Sequence, residues 1–142
     1  MNRFADKPIV VPIDFSDEAS AAIDQALEIA ASPEHVLAVH VAPPLTAFEP
    51  AIAYQVIDDA DRRESIQKAF HKRHAADKYR DVKFEVRFGD PGHEIADFAT
   101  ESGAGLIVMP SHGRTGLAHL LIGSVAERVV RLARCPVLVL RA

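Results

Sequence analysis

Apolar positions along the chain gather into five short runs, separated by stretches whose spacing is helical. Pro8 to Asp14 (PIVVPID), His35 to Val41 (HVLAVHV) and Leu106 to Met109 (LIVM) are nearly continuous and rich in β-branched residues. That pattern predicts strands buried on both faces, as in a parallel sheet. Val82 to Phe88 (VKFEVRF) alternates apolar and charged residues, which predicts a half-exposed strand at a sheet edge. Pro136 to Leu140 (PVLVL) supplies a fifth strand. Pro12 cannot donate to a ladder, so its place is near the carboxyl end of the first strand.

The intervening segments read as helices. Ser16 is placed to cap a helix running to about Ala31, with Asp17 and Glu18 suited to the dipole of its first turn. Ala19, Ala22, Ile23, Ala26, Leu27 and Ala30 form one narrow face that can lie close to a sheet. A long helix is expected from about Ala51 to Tyr79, with Val56, Ile57, Ala60, Ile66, Ala69, Phe70 and Tyr79 as a broken apolar stripe. The acidic and basic residues of its other face, Arg62 and Arg63 among them, read as solvated. Gly89-Asp90-Pro91-Gly92 marks a turn, followed by a helix that points Ile95, Phe98 and Ala99 inward and stops near Gly103 and Gly105. The last helix is expected over Ser124 to Ala133.

Strands alternating with helices predict an α/β fold, one doubly wound domain spanning 1–142 with helices on both faces of a five-stranded parallel sheet. In such sheets ligands sit beyond the carboxyl ends of the strands, where the strand order reverses. Asp14 and the loop from Pro110 to Gly123 each follow a strand's carboxyl end. Both meet in one crevice if the first and fourth strands are neighbours.

Composition narrows the function. The formal charge of −4 gives no electrostatic footprint for nucleic acid. No apolar run approaches the roughly 20 residues that span a bilayer, so no membrane partner is expected. The start does not read as a signal peptide. Cys135 is the one cysteine, which fits a reducing, cytoplasmic setting. At the entry to an apolar strand, it reads as packing rather than as a nucleophile.

The chemistry concentrates in the loop before the last helix. Backbone amides and a positive helix end at a sheet's carboxyl edge suit an anion, most often phosphate. Ser124-Val125-Ala126-Glu127 also matches a capping box, so the Ser124 hydroxyl has a structural use beside a phosphate-binding one. The loop is no Walker A motif, having neither GxxxxGK[ST] nor a lysine, and the first strand is not followed by GxGxxG. Arg114 is its cation, within reach of a phosphate or simply solvated. Asp14 has two readings as well, a ligand contact or a cap for the helix two residues later. His40 reads as a packed imidazole. His71 and His74 lie three apart on a charged helix without further ligands, and no metal site is expected. His112 and His119 flank the loop, and no catalytic triad follows from these spacings.

Pro110-Ser-His-Gly113, nine residues, then Gly123-Ser124 resembles the universal stress protein family, whose nucleotide-binding members carry G-x-x-G, nine residues, then G-[ST]. The start (IVVPIDFSDEASAAIDQALEIA), the continuation VAERVV and the closing CPVLVL resemble that family too. The resemblance implies strand order 3-2-1-4-5, a cytoplasmic stress-response or signalling factor, and no enzyme activity beyond a possible slow ATP hydrolysis. It implies ATP, AMP or ADP as ligand, with Mg²⁺ as an accompanying ion. Asp14 would contact the ribose or adenine side. Val41 and Met109 would offer backbone to adenine, while Gly113, Gly123, Ser124 and Val125 would hold phosphates. It also implies a homodimer through the strand Pro136 to Leu140. The first motif glycine is Pro110 here, which has no amide hydrogen. That departure keeps open a member that binds no nucleotide and acts as a dimeric interaction protein. An ATPase lacks a base or lysine placed for transfer, and a phosphoacceptor receiver domain lacks the paired acid beside Asp14.

Overall fold

A computed structural model describes residues 4–44, 58–112 and 122–141. Its strands are β1 (Ile9–Pro12), β2 (Val36–Ala42), β3 (Lys83–Phe88), β4 (Leu106–Pro110) and β5 (Val137–Leu140). The helices are α1 (Asp17–Ile29), α2 (Asp59–Arg73), α3 (Pro91–Glu101) and α4 (Ser124–Leu132), with single 3₁₀ turns at Pro33–His35 and Asp77–Tyr79. All strand pairs are parallel and the sheet order is β3-β2-β1-β4-β5. The fold is therefore the expected doubly wound α/β arrangement, with its reversal between β1 and β4.

Alternation along the strands splits the core into two layers. Ile9, Val11, Ile13, Val36 and Ala38 face α1 and α2, meeting Ala19, Ala22, Ile23, Ala26 and Phe70. Val10, Val39, Ile107 and Met109 face α3 and α4, meeting Ile95, Phe98, Ala99, Ala126 and Val129. The small residues of α1 allow its close approach, as their spacing predicted. β3 is an edge strand, with Lys83 and Glu85 exposed and Val86 buried.

The expected helix over 51–79 is shorter in its described part, and residues 51–57, including Val56 and Ile57, lie outside that part. α2 ends at Arg73 because His74 leaves helical geometry (φ −112°, ψ 48°). Its imidazole turns inward instead, stacking on Phe70 at 4.5 Å, with Nδ1 3.2 Å from the Phe70 carbonyl and Nε2 3.0 Å from Ser20 Oγ. His74 is thus buried, not solvated, and burial lowers its pKa below the ordinary histidine value. The predicted stripe also shifts: Ala60 and Ala69 are exposed, whereas Phe70 is buried. Arg62 and Arg63, expected on the solvated face, are half-buried over the Phe88 ring, 4.7 and 5.1 Å from its centroid. Their aliphatic stems cover the end of β3 while their heads bond the carbonyls of Pro43 and Val86.

α3 starts at Asp90, whose carboxylate accepts from the His93 amide at 3.1 Å and pairs with Arg128 of α4 at 2.8 Å. A Cβ at Gly92 would come within 2.5–2.8 Å of the Arg128 side chain, down to its own Cβ. Only glycine lets the two helices sit this close.

Candidate crevice between β1 and β4

The β1–β4 ladder is short, pairing Ile9 with Leu106 and Val10 with Ile107 and no further. Its cause is in the sequence. Ile13 donates to Val39 of β2 and Ser111 donates to Leu140 of β5, so alternation turns Pro12 and Pro110 toward each other across the β1–β4 gap. The next two donors of that ladder would be the amides of Pro12 and Pro110, and neither exists. The ladder ends there, at the point where the order reverses and where doubly wound sheets place their ligand crevice. Pro110 therefore costs no bond to β5, yet it removes a donor that would have faced the crevice.

On one side of the crevice is the turn that ends β1. Asp14 is half-buried, and its Oδ1 accepts from the Ser16 amide at 3.0 Å and from Ser16 Oγ at 2.5 Å. Ser16 Oγ in turn accepts from the Ala19 amide at 3.1 Å, the expected cap of α1. Between them Phe15 has φ +63°, a conformation that costs a residue other than glycine roughly 1–2 kcal/mol. Nothing in the sequence flagged Phe15, because the signal for a left-handed residue is normally glycine or asparagine.

On the other side is the start of α4. Its cap is Gly123, with no side-chain cap bond, so the capping box expected at Ser124 is not formed. Ser124 is already the first helical residue, one position too late to cap, and Glu127 pairs with Arg131 instead. The amide of Gly123 donates to the Ser111 carbonyl at 2.6 Å, which draws the helix start against the end of β4. A Cβ at position 123 would lie 3.0 Å from that carbonyl. Ser111 is buried, and beside it His112 Nδ1 lies 3.2 Å from Ser111 Oγ. Among the described residues, His112 Nε2 is a buried side-chain nitrogen without a hydrogen-bond partner.

Val41 is half-buried at the end of β2 opposite Arg87, and packs with buried Met109 in the layer under α3 and α4. Val125 is 39% exposed on the first turn of α4. Gly113 and Arg114 lie outside the described residues, as does His119. The described site residues thus all border the carboxyl ends of β1, β2 and β4. Among the described residues, the arrangement sets a helix start without a side-chain cap at one end, a carboxylate turn at the other, and apolar Val41 and Met109 between. Burial pushes the Cys135 thiol up, which agrees with packing rather than nucleophilic chemistry. Among the described residues no group of three or more His, Cys, Asp or Glu is placed to hold a metal.

The universal stress protein family model matches residues 6–141. The chain belongs to this family. Universal stress protein MJ0531 of Methanocaldococcus jannaschii is 37% identical over 140 residues, covering 95% of this chain and 82% of the relative. Among solved structures, universal stress protein UspA from Lactobacillus plantarum superposes with a TM-score of 0.74 at 27% identity, covering 96% of this chain and 99% of that one. The universal stress protein from Archaeoglobus fulgidus in complex with dAMP has a TM-score of 0.59 at 25% identity, over 94% of this chain and 96% of that one.

Proposed function

We propose that this universal stress protein is a cytoplasmic, homodimeric stress-response or signalling factor, folded as one domain, that binds an adenine nucleotide. One observation carries the reading: α4 begins without a side-chain cap beside the crevice where the β1–β4 ladder ends. Phosphate oxygens would take the amides of Ser124 and Val125 together with the Ser124 hydroxyl, beside Gly123, whose own amide is held by the Ser111 carbonyl, and would be favoured by the helix dipole. Gly113 and Arg114 would complete that phosphate end. Adenine would lie along the ends of β2 and β4 at Val41 and Met109, with Asp14 toward the ribose. The relative that binds dAMP supports the adenine nucleotide as ligand class. Mg²⁺, if used, would accompany the phosphates and face Asp14.

The proposed role is binding rather than turnover, since the described crevice places no lysine or general base for phosphoryl transfer. β5 is the unpaired edge opposite β3, and Leu138 on it is 37% exposed, which suits pairing with a second copy. Nucleotide released on denaturing the purified protein, identified by mass spectrometry, and calorimetric titration with ATP and AMP test the ligand. Micromolar or tighter binding is expected. The second reading, a dimeric interaction protein without nucleotide, is favoured by the donor missing at Pro110. A titration showing no binding of either nucleotide would select it.

A further inference from the structure

The strained turn after β1 needs something to hold it. Asp14 and Ser16 close the turn on itself. Two neighbouring residues of β2 tie it to the sheet. The Ile13 amide donates to the Val39 carbonyl at 2.7 Å, and His40 Nδ1 lies 2.6 Å from the Ile13 carbonyl. A carbonyl can only accept, so Nδ1 carries the proton. The same imidazole lies against Phe15, with ring centroids 5.0 Å apart and planes inclined by 59°. One side chain therefore grips the residue before Asp14 and the residue after it.

We propose that His40 is the positioning residue of the crevice: by holding the Ile13 carbonyl and the Phe15 ring, it fixes where the Asp14 carboxylate stands for the ligand. The proposal deepens the nucleotide reading and rests on it. An imidazole that only filled space would be replaceable by any ring of similar size. The geometry instead makes the Nδ1–H donor the decisive part. Without it the Ile13–Asp14 peptide can rotate, Phe15 relaxes out of the left-handed region, and Asp14 swings with it.

Two substitutions separate donor from ring. In His40→Asn the carboxamide nitrogen can occupy the place of Nδ1, keeping the donor without the ring. In His40→Phe a ring remains and the donor is lost. The first readout is the protein without ligand, by NMR, where a left-handed Phe15 gives a strong intraresidue amide–Hα cross-peak. The second is ATP affinity by calorimetry. The cross-peak is expected to persist in His40→Asn and weaken in His40→Phe. ATP binding is expected to stay within about threefold of the parent in the former and to fall roughly tenfold in the latter. Should His40→Phe fail to fold, His40→Gln, whose longer side chain misplaces the donor, takes its part with the same expectations. The proposal is overturned if the donor-less variant keeps both cross-peak and affinity, or if His40→Asn loses as much affinity as that variant. Absence of ATP binding by the parent protein sinks the nucleotide reading instead, while the cross-peak still decides whether His40 holds the turn.

Discussion

α1 and α4 both begin at the mouth of the crevice, and they begin differently. At α1, Ser16 Oγ bonds the Ala19 amide and Asp14 bonds Ser16 twice, so the helix start is satisfied by the chain itself. α2 and α3 are capped likewise, by Asp58 and Asp90. Among the four described helices, α4 alone starts on glycine with no side-chain cap. A helix end costs free energy when its amides find no partner, so natural sequences usually supply one. The missing cap, set against three capped helices, is why the proposed function gives the α4 end to an anion and the α1 end to a held carboxylate.

The comparison can be broken most strongly at α4. Gly123→Asp gives the helix the cap it lacks and puts a negative charge where phosphate would bind. ATP affinity is expected to fall about 10- to 100-fold, the worth of charge-assisted bonds, in calorimetry. Unchanged affinity would refute the assignment of that end to phosphate. Ser16→Ala removes the cap at α1 and should cost about 1 kcal/mol of stability in denaturant unfolding. A loss under a few tenths would mean that the α1 start is not secured as described.

The α1 side has a second anchor, the contact of Ser20 with buried His74. Burial depresses the folded pKa of His74, so the unfolded chain takes up the proton first as pH falls. Stability from this group is complete above about pH 6.5, the ordinary histidine value, and is lost as pH drops from there through the lowered folded pKa. In His74→Gln that part of the slope should vanish; an unchanged slope in urea melts between pH 7 and 5 would assign it elsewhere. The smallest expected effect sharpens the α4 side. Pro110→Gly restores an amide facing the crevice and should tighten ATP binding a fewfold, with some loss of stability from added chain entropy. Weaker binding in that variant would show that the missing donor is not what limits affinity.

Much of the fold was legible because burial on two faces leaves a long local trace. PIVVPID, HVLAVHV and LIVM could be read as parallel strands from their composition, and VKFEVRF as an edge strand from its alternation. Ser16 was legible as a cap because its signal lies within three residues. Around the crevice, the sequence placed Asp14 at the end of a strand and Gly123 before a helix, as the structure has them, yet the cap is Gly123 and not Ser124, where Gly123 bonds Ser111 beyond the end of β4. Phe15, His40 and His74 escaped their roles for the same kind of reason: each is defined by a partner on a different element.

By itself, then, the sequence determined the alternation of strands and helices, the two-sided burial of the sheet and the glycine and proline positions around the crevice. These depend on local periodicity and on backbone chemistry that each residue carries with it. Only the tertiary structure decided that Pro12 and Pro110 face one another, that His40 grips the turn holding Asp14, and that α4 keeps its first amides without a side-chain cap. Those facts depend on which strands become neighbours, and parallel neighbours are brought together by crossovers far longer than any local signal.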